Sequence, residues 1–120
     1  MPVGGARSVV DAFNDAFNRH DVDAIMALMT DDCVFENTRP APDGTRVTGR
    51  DAVRSFWTQF FERSPHARFD TEEIFESGDR CVVRWRYQWV RDGTPGHVRG
   101  VDLFRVRDGK VAEKLAYVKG

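Results

Sequence analysis

With 120 residues, 41% of them hydrophobic and 31% charged, the sequence reads as one globular domain, residues 1–120, around a single core. A net charge of −1 gives no bulk attraction to nucleic acid or to an anionic membrane, and no run of about 18 apolar residues exists to cross one. The stretch Met1-Pro2-Val3-Gly4-Gly5-Ala6-Arg7 has no apolar signal-peptide core, so a cytoplasmic location is expected, with Cys33 and Cys81 as buried free thiols rather than a disulfide or metal pair.

The first half has helical periodicity. Val10, Phe13 and Phe17 fall on one face of a helix from about Ala6 to Arg19. Val22, Ile25, Met26 and Met29 mark a second, shorter helix, capped by Asp21, whose side-chain oxygen can accept a free backbone N–H. Thr30-Asp31-Asp32 stops it, and Cys33 to Glu36 reads as a short strand. Asn37 to Thr48 is a proline-bearing loop, a stiff connection or a lid. Thr48-Gly49-Arg50-Asp51 has the form of a capping box for a third helix, whose inner face is Val53, Phe56, Trp57 and Phe60 and which ends near Ser64-Pro65.

From Phe69 the period changes to two. Phe69 to Glu76 is a strand, Ser77-Gly78-Asp79 a turn, and Cys81 to Val90 a long strand with Val83, Trp85, Tyr87 and Trp89 on one face and Val82, Arg84, Arg86 and Gln88 on the other. A loop follows from Arg91 to about His97. Val98 to Val106 and Val111 to Lys119 then form a hairpin across Arg107-Asp108-Gly109-Lys110. Helices first and an antiparallel sheet afterwards predict an α+β layer architecture, with the helices packed on one face of the sheet.

This order resembles the nuclear transport factor 2-like superfamily, and within it the SnoaL-like domains. Carrying the resemblance are Phe13 through Asn18, Asp21, Thr30 through Glu36, Gly49 through Trp57, and Gly100 through Val111. It implies a cone in which a curved, mostly antiparallel sheet wraps the helices and leaves a pocket open at one end. The superfamily includes ketosteroid isomerases, polyketide cyclases, hydrolases, dehydratases and proteins that only bind, so fold does not fix activity. Of the three polar positions of a ketosteroid isomerase, the tyrosine is Phe13 here and the base is Asn37; only the acid on the penultimate strand is matched, by Asp102. A chain lacking the base and one donor is not expected to isomerise steroids by that mechanism. The SnoaL-type cyclases, which rely on one acidic residue in this strand region, are the better match.

Asp102 is the leading candidate, because it sits within an otherwise buried strand, where an unpaired carboxylate is costly. A two-residue Asp108-Gly109 turn puts it opposite Leu115. A three-residue Arg107-Asp108-Gly109 loop puts it opposite Lys114, with Ala112, Ala116 and Val118 on its face and Glu113 near Arg105 on the other. The second register is preferred, which makes Lys114 the expected partner. Phe13, Phe17, Phe35, Trp57, Phe60, Trp85, Tyr87, Trp89 and Phe104, with Asn37, are expected to line an apolar cavity for a hydrophobic or polycyclic small molecule; any one ring taken singly reads more readily as core. Arg84, Arg86 and Arg105 on the outer sheet face suit a homodimer interface better than nucleic acid. His20, His66 and His97 have no ligand spacing and read as surface histidines, with His97 near the pocket mouth. No glycine-rich nucleotide loop, Walker lysine, His-Glu-x-x-His or Cys-x-x-Cys is present, so neither cofactor nor metal is expected. The readings left open are cofactor-free acid–base catalysis with Asp102 as acid or base, a non-catalytic binding protein, and a structural dimerisation module.

Overall fold

The computed structural model describes residues 5–120; residues 1–4, where the stretch read for a signal peptide begins, lie outside them. The element order is α1 (Ala6–Asn18), α2 (Val22–Ala27), β1 (Met29–Glu36), β2 (Arg46–Thr48), α3 (Arg50–Arg63), β3 (Arg68–Ser77), β4 (Arg80–Arg91), β5 (Thr94–Arg107) and β6 (Lys110–Val118). The strands form one sheet in the order β2-β1-β6-β5-β4-β3, antiparallel throughout except that β1 and β6 run parallel. The helices pack on one face of it, the α+β arrangement expected from the change of period.

On α1 the buried residues are Ala6, Val10, Phe13, Ala16 and Phe17, the face its spacing predicts. Asn18, at its end, holds the start of β3: its amide donates to the Phe69 carbonyl (2.8 Å) and its oxygen accepts from the Phe69 N–H (2.9 Å). Asp21 caps α2 by accepting from the Ala24 N–H at 3.0 Å. That helix stops at Ala27, and Met29 already belongs to β1. Thr30-Asp31-Asp32, read as a helix stop, is therefore strand. Asp31 and Asp32 stand exposed where the β1–β6 register shifts, so strand backbone is compatible with two adjacent carboxylates there.

The expected capping box does not form. Thr48 is paired with Val34 in the sheet, so its hydroxyl cannot turn onto α3, and Gly49, at φ +90°, makes the entry to the helix without a side-chain cap. The buried stripe of α3 is Val53, Trp57 and Phe61 (i, i+4, i+8); Phe56 and Phe60 flank it half-buried. Residues 91–97 are not a loop either. Asp92 and Gly93 both have positive φ, 52° and 75°, as a two-residue type I′ turn requires, so β4 and β5 continue to an Arg91–Thr94 pair.

The β5–β6 hairpin follows neither register foreseen. Asp108 and Gly109, at φ 53° and 73°, form a two-residue turn with Arg107 opposite Lys110. One extra residue then intervenes on β6: Val106 faces Val111, but Arg105 faces Glu113. Beyond this bulge at Ala112, Phe104 pairs with Lys114 and Asp102 with Ala116. Lys114 thus shares the face of Asp102, as the preferred register required, but sits diagonally to it rather than opposite, and the bulge rather than a longer turn is the cause.

Candidate functional site

Asp102 lies mid-way along β5, between Val83 of β4 and Ala116 of β6, facing the helices. It is 4% exposed and Lys114 is 5% exposed. Lys114 Nζ stands 3.5 Å from Asp102 Oδ2, and also lies 4.8 Å from the centre of the Phe35 ring and 5.1 Å from that of Phe17. The ammonium is thus held by one carboxylate and two aromatic rings, whose electron-rich faces attract a desolvated cation.

Beside the pair is a cavity of about 10 Å³, lined by Asn14, Phe17, Phe69, Thr71, Val83 and Trp85 together with Asp102 and Lys114. That is about the space of one water-sized sphere. Thr71, exposed on β3, marks the side on which the cavity nears the surface. Gly100 shapes this corner: a Cβ there would meet the Trp85 indole at 2.5 Å and the Tyr117 carbonyl at 2.3 Å, so only glycine lets the indole lie across β5 next to Asp102.

Burial pushes the Asp102 carboxyl above its ordinary value, because desolvation penalises the charged form most. The Lys114 charge and the Trp85 indole N–H pull it partly back. Trp85 comes near enough to favour the carboxylate's charge without completing a hydrogen bond: Asp102 Oδ1 and Trp85 Nε1 are both buried without a partner. The pair can therefore do two things chemically. The free oxygen can accept a hydrogen bond or a proton, and the ammonium can hold a nearby negative charge.

The other foreseen residues divide into groups. Phe13, Trp57 and Phe104 are core: Phe13 packs edge-on against both of the others at 5.6 and 5.5 Å, and none of the three lines the cavity. Phe35 and Phe17 hold the ammonium, and Phe17 alone of the two also lines the cavity. Phe60, Tyr87 and Phe69 form a half-buried continuation of the cluster, Tyr87 stacking on Phe69 at 4.6 Å. Trp89 lies farther along β4 and lines a separate groove. Asn37, just past the end of β1, does not line the cavity; its N–H is bonded to the Thr45 carbonyl at 2.8 Å. The loop from Thr38 to Arg46 closes on itself through Gly44 N–H to Pro40 and Thr45 Oγ to Arg39, and no residue of it lines the cavity. The open chamber expected from the aromatic residues is accordingly replaced by packed rings. Asn14, Thr71, Phe69 and Val83 were not foreseen; for Asn14 the available signal was a polar residue one step off the Val10-Phe13-Phe17 stripe.

The sequence matches the SnoaL-like domain family over residues 10–114. The chain belongs to the SnoaL-like family. A nuclear transport factor 2-like protein of unknown function from Mesorhizobium loti superposes on this SnoaL-like domain with a TM-score of 0.84 at 42% identity, over 100% of this chain and 98% of that one. A protein from Xanthomonas campestris pv. campestris described as a candidate polyketide cyclase has a TM-score of 0.76 at 26% identity, over 95% and 90% of the two chains. One from Sinorhizobium meliloti, described in the same terms, gives 0.75 at 22% identity over 98% and 95%, which speaks to the fold alone. No curated protein matches the sequence. In this SnoaL-like domain no described helix is long and apolar enough to cross a membrane. Among the described residues, no three of His, Cys, Asp and Glu converge as metal ligands would.

Proposed function

We infer that this protein binds a small, mostly apolar molecule whose polar group meets the Asp102–Lys114 pair at the base of the aromatic cluster. The observation that supports this most directly is the unpartnered Asp102 Oδ1, buried with the unpartnered Trp85 N–H beside a cavity. A buried polar atom without a partner costs about 1–3 kcal/mol, a cost that a ligand group donating to Oδ1 removes. The free volume is that of one water, so this reading requires Phe17 and Phe69 to swing aside as the ligand enters, a side-chain rearrangement common on binding where the backbone stays fixed. The likeness to a candidate polyketide cyclase supports a flat, polycyclic or aromatic ligand.

The raised Asp102 carboxyl favours a second reading, cofactor-free acid–base chemistry. Asp102 Oδ1 would accept a proton from the substrate and return it elsewhere, while the Lys114 ammonium holds the charge left on a substrate oxygen. Isomerisation, cyclisation, dehydration and hydrolysis all contain such a step.

Titration with a broad panel of flat hydrophobic ketones, quinones and lactones, followed by thermal unfolding and tryptophan fluorescence, tests the binding reading. Saturable binding is expected, weakened at least tenfold in the double variant Asp102→Leu/Lys114→Met, which keeps the core volume. No response to any member would leave the domain as a dimerisation module with a filled core. Where binding is found, NMR and chromatography of the recovered ligand, with Asp102→Asn as control, separate the two readings: a ligand unchanged in structure excludes chemistry, whereas a new isomer, ring or hydrolysis product supports it.

A further inference from the structure

Asp102 is flanked on its own face of the sheet by one residue from each neighbouring strand. Side chains two apart on a strand share a face. Trp85, two residues from the Val83 that pairs with Asp102, and Lys114, two from the Ala116 that pairs with it, therefore both stand on its helix-facing side. Lys114 takes Oδ2, while Oδ1 and the Trp85 N–H are unmet beside the cavity. Trp85 is 5% exposed and Asp102 4%, so bulk water satisfies neither.

One unmet donor and one unmet acceptor thus share a space of about 10 Å³, that of one water-sized sphere. A group that meets both there must donate and accept through a single atom. A hydroxyl does this: its hydrogen goes to Oδ1 and its oxygen receives the Trp85 N–H. A ketone, ether or ester oxygen accepts from Trp85 but leaves Oδ1 unmet. An aromatic amine donates to Oδ1 but is a poor acceptor, and an amide divides the two functions between two atoms. Water meets the same two requirements, so a ligand that replaces it without loss must reproduce both.

The apolar part of the cavity wall is Phe17, Phe69 and Val83, with the Trp85 ring packed edge-on against Phe69 at 5.2 Å. Aromatic surroundings of this kind suit a flat ring. A hydroxyl carried on such a ring, or on a ring double bond, is also more acidic than that of an alkyl alcohol. Its hydrogen bond to a carboxylate is correspondingly stronger.

We propose that the Trp85–Asp102 corner recognises the hydroxyl of phenols and enols, with Asp102 Oδ1 accepting from it and the Trp85 indole donating to it. This rests on the binding reading given above and narrows the ligand's polar group to a hydroxyl. It makes Trp85 the residue that sets specificity.

The test titrates the wild-type protein, followed by 1H–15N NMR, with phenol, aniline, anisole, benzaldehyde, benzamide and toluene, which share one ring and differ in the polar group. Phenol is expected to bind at least about tenfold tighter than each of the others. It is also expected to move the Trp85 indole N–H signal, assigned through its contacts with Phe69, downfield as the hydrogen bond forms. In Trp85→Phe, which removes the donor and enlarges the cavity, the preference for phenol over toluene is expected to fall about tenfold while toluene still binds. Should that variant not fold, the wild-type preference and the indole signal decide. Phenol binding no tighter than toluene or benzaldehyde, a Trp85 signal that moves equally with all six compounds, or a preference unchanged in Trp85→Phe overturns the proposal and leaves the binding reading standing. If neither these compounds nor the ketones, quinones and lactones bind, both fall.

Discussion

The Asp102–Lys114 pair is held where each charge has lost nearly all its water. Breaking such a pair from one side leaves an uncompensated charge in the core, at a cost of about 3–5 kcal/mol, whereas replacing both partners with apolar groups is often neutral or stabilising. Lys114→Met, which strands the Asp102 carboxylate, is therefore expected to lose about 3–5 kcal/mol in urea unfolding at neutral pH. Asp102→Leu/Lys114→Met is expected to match or exceed the wild type; a double variant as unstable as the single one would contradict this. The pair also fixes a pH dependence. A carboxyl raised in the folded state above the 3.8 of an ordinary aspartic acid favours the protonated folded protein. Its contribution to stability is thus full below pH 3.8 and is lost as pH rises through the folded value. The stability of wild type relative to the double variant is expected to fall across that window, by up to about 1.4 kcal/mol per pH unit. A rising difference in parallel urea titrations would reverse the assignment. That Asp102 matters was legible from a carboxylate set among strand residues; that Asn14 and Thr71 stand beside it was not, since both depend on how α1 and β3 meet across the sheet.

At the level of elements, what decides the polar chemistry is the bulge at Ala112. Side chains alternate faces along a strand, so one residue more or fewer between the turn and Lys114 sends the lysine to the opposite side. Deletion of Ala112 is expected to move Lys114 to the outer face, leave Asp102 alone in the core and cost more than Lys114→Met, measured as a loss of folded signal at lower urea. Equal stability would mean that the strand re-registers elsewhere. The periodicity of α1 and β4 was readable because a single apolar stripe or alternation runs their whole length. The bulge, the β2 strand and the early start of β1 were not, because each is set by pairing with a distant partner: Ala112 by β5 and β1, Thr48 by Val34, Met29 by Val111. The Asp92-Gly93 turn carried the same signal as Asp108-Gly109 and was obscured by Pro95 and Gly96, which read as loop.

For the molecule as a whole, the outer face of the sheet offers Val82, Val101, Leu103 and Leu115, half-buried, beside the exposed Tyr117. Its arginines are largely paired within the chain: Arg84 with Glu72 and Glu73, Arg105 with Asp79, and Arg80 with Glu113. A mixed surface of this kind, aliphatic at the centre and rimmed by ion pairs, suits a second copy of the chain, and we propose a homodimer across it. Light scattering at micromolar concentration is expected to give twice the chain mass, falling to one chain mass in Leu103→Glu; a monomeric wild type would end the idea. The α+β class and the family were legible in the order of elements, because helices followed by alternating strands admit few layer arrangements. How full the interior is was not legible: the same aromatic residues can line a chamber or fill it, and only their packing angles decide.

The parallel pairing of β1 with β6 has a consequence for how the chain comes into being. The last strand in chain order is inserted at the middle of the sheet, between the first strand and β5. A growing polypeptide therefore has no complete core until Val111 to Val118 have been made, and until then Asp102 waits without its counter-charge. Contacts of such long sequence separation form slowly, so the half-made chain presents β1 and β5 as open edges for a time, and that interval is when this domain is most exposed to chaperones and to aggregation.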